Sequence, residues 1–255
     1  MTEFVSNVMK VGAHLADTRA LLAVWDDSAG EDANIEAVVR ENLLGLPSKS
    51  RAKDVMVRAL RPRFIEPQAG ILPALRVLAP HPDAFRDACY YEHTRVDALV
   101  AAFVVERLAV WWDEGRVAIQ TVDARAWIDQ VVRDGRAPDW SPNIRDRVAR
   151  GMMAALRDFG RLSGVRASSR KEITRPGVST AGFAYVAFRL HQETLSARAI
   201  VASDVWRRWL LHEPGVEEML HRLVSHGVVY YSVMGSTRRL DWRVATLEEA
   251  VSATL

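Results

Sequence analysis

The chain is poor in the residues that staple a fold or carry chemistry. Cys89 is its one cysteine, so no disulfide can close within the chain and a zinc site built from several thiolates is excluded. That usage suits a reducing compartment, and the expected location is the cytoplasm. No apolar run reaches the roughly 18 residues of a membrane span. The longest, Val96 to Trp112, is interrupted by Asp97, Glu106 and Arg107, and reads as a buried helix. The opening MTEFVSNVMK lacks the basic-then-apolar order of a secretion signal. Lysine is scarce too, with four residues against thirty arginines.

Enzyme signatures are missing as well. There is no glycine-rich phosphate loop, no GxSxG elbow and no HExxH. His221 and His226 lie five apart, on different faces of a helix, and do not converge on a metal. Pro138-Asp139 opens like a nuclease motif, but no Glu-x-Lys follows at a useful distance. Cys89 beside Tyr90 and Tyr91 reads as a buried, inert thiol. The expectation is a protein that is not an enzyme and takes neither cofactor nor metal.

What is present suits an ordinary globular chain: 255 residues, 49% hydrophobic and 26% charged, with a net charge of +2. Those fractions exclude global disorder, and the length gives one large domain or two small ones. Arginine favours planar, two-point contacts with carboxylates or phosphates, although a GC-rich genome would enrich it equally.

Apolar spacings of three and four predict helices over most of the chain. The first carries Leu15, Leu21, Leu22 and Trp25, and the second runs from about Ile35 to Leu44. After Gly45-Leu46-Pro47, Ser48 or Ser50 can cap a third helix, which runs to about Leu60 and is ended or kinked by Pro62. Phe85, Val96, Leu99, Val100, Phe103, Val104, Leu108, Trp111 and Trp112 form the stripe expected of a central core. Further helices are expected around Trp127–Val132 and Ile144–Leu162. The stretch 163–177, poor in apolar residues and rich in Arg, Ser and Gly, reads as a linker or mobile loop between a helical domain (1–165) and a second domain (178–255). Beyond it, helices are expected at about Ala181–Glu193 and Ser203–His212, and another opens at Pro214 and stops at Gly227. Val228 to Val233 reads as a strand, Leu240, Trp242 and Val244 as its hairpin partner, and Thr246 with Glu249 as a capping box. The fold class is mainly α, with an N-terminal helix-turn-helix and a winged-helix-like module ending in a β-hairpin.

Three basic groups stand out. The segment 48–63 holds Lys49, Arg51, Lys53, Arg58, Arg61 and Arg63 against the single acid Asp54. As the second helix of a helix-turn-helix it would set its arginines on phosphates, although a solvated basic face has the same composition. The hairpin carries Arg238, Arg239 and Arg243, and a wing of this kind lies along a backbone or a narrow minor groove. Glu217 and Glu218 on the preceding helix have the wrong sign for a groove, so a module that contacts protein fits comparably. Arg170 and Lys171, with Arg166 and Arg175, make the loop at 166–175 a candidate backbone clamp or a plain surface loop.

The pattern Arg40-Glu41-Asn42-Leu43-Leu44, the basic 48–63 helix that follows, the long apolar middle helix and the ending Ser225-His226-Gly227-Val228-Val229-Tyr230-Tyr231 resemble the BrxA family of bacteriophage-exclusion (BREX) defence systems. The resemblance implies a non-enzymatic accessory protein that binds double-stranded DNA and works beside other BREX proteins; the short apolar runs add the expectation of no membrane partner. The rival reading is an interaction scaffold that docks acidic partners of a defence complex. The sequence leaves the preferred DNA sequence, the oligomeric state and the defence step open.

Overall fold

Helix dominates, as the three-and-four spacing of apolar residues dictates. The computed structural model describes residues 4–5, 12–67, 70–193 and 195–255. In chain order come α1 (Leu15–Val24), α2 (Glu31–Arg40), α3 (Lys49–Val55), a π-helical stretch (Met56–Ile65), α4 (Ile71–Leu78) and α5 (Pro82–Val96). Next are α6 (Ala98–Phe103), a second π-helical stretch (Val104–Leu108), α7 (Ala109–Asp113), strand β1 (Ala118–Gln120), α8 (Thr121–Arg133) and α9 (Pro142–Asp158). They are followed by β2 (Leu162–Ser163), β3 (Arg170–Ile173), α10 (Thr180–Gln192), α11 (Ala197–Val201), a 3-10 helix (Asp204–Trp209) and α12 (Glu213–Ser225). The hairpin strands β4 (Val229–Met234) and β5 (Thr237–Trp242) and the short α13 (Leu247–Ser252) complete the series.

Several boundaries follow from their caps. The Ser48 hydroxyl accepts the Arg51 amide at 3.1 Å and opens α3, and Ser141 does the same for α9 from the Ile144 amide, with Pro142 in the first turn. Thr246 and Glu249 form the expected capping box of α13.

Three expectations are corrected. Pro62 does not end its helix. It sits inside a π-helical stretch, where bonds reach five residues back, as from the Glu66 amide to the Arg61 carbonyl at 3.0 Å; the wider turn tolerates a residue with no N–H to give. The helix expected over 203–212 is a 3-10 helix of six residues, closed by Leu210 in the left-handed region at φ 59°. The stretch 163–177 is not merely a linker, because β3 pairs antiparallel with β1 on one side and β2 on the other. Its alternation is real but short, with Lys171 and Ile173 buried and Arg170 and Glu172 exposed.

The chain builds two compact units, each from separated stretches. One comprises His93–Val178 and Val201–Glu218 with the described residues before His14; the other comprises His14–Glu92, Ser179–Ile200 and Met219–Leu255. The passage between Val178 and Ser179 coincides with the end of the stretch that the sequence marks, and others fall inside α5 and α12.

In the first unit α8 packs on α9, burying Trp127, Ile128 and Val131 of one and Val148, Met152 and Leu156 of the other. Phe103 meets Trp127 edge-on at 5.2 Å. The polar rim of Trp127 is met by Glu106, which also takes two hydrogen bonds from Arg136 at 2.5 and 2.9 Å. In the second unit α13 packs on α4 and α10, and every residue from Ala181 to Leu190 of α10 is buried. A cation on such a helix must be matched. Arg189 Nε donates to Glu92 Oε1 at 3.0 Å, and the Tyr185 hydroxyl donates to the same oxygen at 2.9 Å. Burial, and then the Glu92 charge, push the Tyr185 hydroxyl well above its usual pKa. Gly182 is required by close approach, since a Cβ there would lie 2.6 Å from the Cβ of Asp87.

Glu92→Ala leaves Arg189 charged and unmatched in the interior, and should cost about 3–5 kcal/mol of unfolding free energy in a urea titration. Glu106 offers a pH test. The Arg136 hydrogen bond, above all, holds its carboxyl below the ordinary value of 4.5. A carboxyl depressed in the folded state stabilises the fold above its unfolded pKa and loses that contribution as pH falls through the folded value. Stability followed from neutral pH into the range below 4.5 should therefore decline less steeply in Glu106→Gln than in the parent.

Candidate nucleic-acid interface

The basic segment begins at a stiff turn. Asn42 adopts φ 51° and Gly45 φ 64°, and the Asn42 side chain closes the turn by donating to the Leu46 carbonyl at 2.6 Å and accepting the Leu46 amide at 3.2 Å. α3 starts immediately after, which fixes the direction of its first turns. Lys49 and Lys53, four apart on one face, are both exposed and make no ion pair among the described residues. Arg51, between them, is half-buried.

Further along, the same segment neutralises itself. Arg58 Nε lies 3.1 Å from Asp54 one turn back, with both side chains about half exposed. Arg61 sits between Glu31 at 3.0 Å and Glu66 at 3.4 Å; these are ion pairs by distance, but its Nε is not aligned for a hydrogen bond. Arg63 is 2% exposed and so is an interior cation, not a surface one. It is close enough to Cys89 to oppose the burial that pushes the thiol far up. The sequence expectation that Lys49, Arg51, Lys53, Arg58, Arg61 and Arg63 all meet phosphate is thus corrected at Arg63, which is buried, while Arg58 and Arg61 lie in ion pairs within the protein. From Met56 to Ile65 the segment is π-helical, so its side chains do not keep the angular spacing of an α-helix.

The hairpin turns at Gly235, φ 60°. Arg239 is exposed, its Nε lies 2.6 Å from Asp241, and its guanidinium lies over Tyr230 at 5.7 Å from the ring centre. Arg238 is half-buried, while Arg243 is exposed and makes no ion pair among the described residues. Met234 at the tip is 77% exposed. On α12 Glu218 is exposed and Glu217 half-buried.

In the other unit Arg170 is exposed on β3, but its neighbour Lys171 is buried, with its ammonium donating to the Val165 carbonyl at 2.9 Å and to the Ser168 carbonyl. Lys171 braces the β2–β3 turn and is spent there. Sequence reasoning gave no role to Arg150 of α9, which only folding brings to that turn. Among the described residues no group of three His, Cys, Asp or Glu could hold a metal, and no helix is long and apolar enough to cross a membrane.

Architecture and surface together define a mainly helical protein with small antiparallel sheets and a few unneutralised cations at the start of a helix, along a hairpin and beside a turn. The sequence profile of the BrxA family matches residues 2–189, and the chain belongs to that family. Membership places it with the BREX phage-defence proteins. α12 and the hairpin lie beyond the matched residues. A crystal structure of an uncharacterized protein from Magnetospirillum magneticum is similar in fold, with a TM-score of 0.60 and 16% identity over 81% of this chain and 98% of that one. No curated protein matches.

If Arg63 is interior and Lys53 is not, their variants must behave differently. Arg63→Ala should lower the unfolding free energy by about 2–4 kcal/mol. Lys53→Ala should stay within about 0.5 kcal/mol of the parent in the same denaturation experiment.

Proposed function

We propose that this protein is a non-enzymatic accessory component of a BREX system that binds double-stranded DNA through its phosphate backbone. The observation that carries the reading is the pair of exposed lysines, Lys49 and Lys53, left unneutralised on the first turns of a helix that a hydrogen-bonded turn holds in place. α2, the turn and α3 have the order of a helix-turn-helix, with α3 as the element that would meet the groove. The order α10 to β5 has the sense of a winged helix, and Arg239 and Arg243 would follow the backbone from its hairpin. Arg63 and Lys171 have no part, because both are buried.

Contacts to phosphate release counterions, so affinity should fall steeply with salt. Duplex titrations at several salt concentrations should give a slope that drops by about two in Lys49→Glu/Lys53→Glu. Absence of binding at low salt, or an unchanged slope in the double variant, would overturn this surface.

A second reading rests on a specific feature of the same helices. Ile35 and Val39 of α2 and Val57 form an open apolar groove of about 290 Å³, rimmed by Asp32, Glu36, Arg40 and Lys53. Such a groove with mixed charge at its edge suits a helix of a partner protein, here another member of the defence system. Retention of a BREX component on the immobilised parent but not on Val39→Asp, with duplex affinity intact, would favour that reading.

A further inference from the structure

α9 places Arg150, Met153, Ala154 and Arg157 at spacings of three, four and seven, which puts them on one helix face. That face lines a cleft of about 370 Å³ together with Arg166, Ser168 and Ser169 of the β2–β3 turn. Among the described residues no carboxylate lines it. Arg157 is matched by Asp158 at 2.5 and 3.0 Å, whereas Arg150 and Arg166 are exposed and make no ion pair among the described residues. Met153 and Ala154 give the cleft an apolar floor between the guanidinium groups.

The turn is held before anything binds. The Lys171 ammonium ties the Val165 and Ser168 carbonyls together, the Ser168 amide donates to Val165 O at 3.1 Å, and the Thr121 amide donates to Ser169 O at 3.0 Å. Ser168 Oγ accepts the Arg170 amide at 3.1 Å and keeps its own proton to give. A rigid turn with hydroxyl donors, two unmatched guanidinium groups and an apolar floor is built for an anion joined to a flat ring.

We propose that this cleft binds a nucleoside phosphomonoester. The phosphate would lie between Arg150 and Arg166, with the Ser168 and Ser169 hydroxyls beside it, and the base against Met153 and Ala154. The volume falls within the roughly 300–1,000 Å³ of small-molecule sites and is far too small to admit a duplex. The inference goes beyond the duplex-binding reading, which rests chiefly on α3 and the hairpin. Two sources share the chemistry: a free nucleoside monophosphate, and the phosphorylated 5′ end of a nucleic-acid strand.

Isothermal titration of the full chain with a nucleoside monophosphate should show saturable binding, weakened roughly tenfold to a hundredfold by Arg150→Ala and by Arg166→Ala. Both variants should melt at the parent temperature, because neither side chain is paired. Single-stranded oligonucleotides that differ only in a 5′ phosphate separate the sources. A gain from the phosphate that both variants abolish assigns the cleft to strand ends, and binding of the monophosphate alone assigns it to free nucleotide. No heat with either probe at millimolar concentration, or affinities unchanged in both variants, would overturn the proposal. Lys49→Glu/Lys53→Glu should retain nucleotide binding, and Arg150→Ala/Arg166→Ala should retain duplex binding, so one reading can fail without the other.

Discussion

A helix buried on all sides over ten residues has no solvated face on which to leave a charge, and α10 carries Arg189 in the last turn of its buried stretch. Removing Arg189 and Glu92 from water is costly, and their attraction offsets that cost only because the geometry is good and the Tyr185 hydroxyl satisfies the same carboxylate oxygen. The pairing also selects an arrangement. Glu92 belongs to α5, so α10 can settle in its unit only in the register that brings Arg189 and Tyr185 to that one oxygen. Asp87, a turn earlier on α5, fixes the other end by accepting the Ser179 amide and hydroxyl at 2.9 Å each, and Gly182 lets the two backbones come close. α13 then packs on α10, and Trp242 of the hairpin meets Phe188 edge-on at 4.8 Å. The hairpin arginines thus take their place from a helix whose residues Ala181 to Leu190 are all buried.

Thirty arginines do not make this a basic surface, because most guanidinium groups are consumed within the protein. Arg125 and Arg145 share Asp129 and reach on to Asp146 and Asp139, Arg76 is held by Asp27, and Arg207 by Asp113 at 2.5 Å. Pairs near the surface add little stability each, about 0–1 kcal/mol. Their larger effect is to cancel the field over much of the surface. With a net charge of only +2, long-range attraction of a polyanion is weak, so the proposed contacts depend on the positions at which cancellation fails. Exposed cations without an ion pair among the described residues include Lys49, Lys53 and Arg243 in one unit and, around a cleft too small for a duplex, Arg150 and Arg166 in the other. That two of four lysines fall in the first group fits their chemistry, since lysine offers a mobile point charge where arginine offers a planar fork suited to carboxylates.

Features governed by local pattern were legible in the sequence. α1 to α3, α8 to α10 and α12 announce themselves by apolar spacing, and Ser48, Ser141 and Thr246 stand at starts that their side chains cap. The hairpin follows from β-branched and aromatic residues around a glycine with positive φ. Features that depend on distant partners were not. β3 has four residues and finds its register only against β1 and β2, so its alternation reads as noise until the sheet exists. The π-helical stretch around Pro62 moves Arg61 and Arg63 off the face expected of them, and no propensity announces a change from four-residue to five-residue hydrogen bonds. Arg63 looked like part of a basic run because the run was read as an α-helix. The cleft on α9 was equally hidden. Its i, i+3, i+4, i+7 stripe was visible, but the turn that completes it arrives from a segment that reads as linker.

The two basic regions differ in kind, and the difference bears on function. The start of α3 is an open face carrying Lys49 and Lys53 as point charges, which suits a backbone recognised by charge and insensitive to sequence. The α9 cleft is concave, has an apolar floor and is edged by forked donors, which suits a single group recognised by shape and hydrogen bonding. A protein with only the first would hold DNA without distinguishing one duplex from another, and the salt dependence of that hold follows from counterion release. The proposed α9 cleft would add, by different chemistry, recognition of a small phosphorylated species or a strand end.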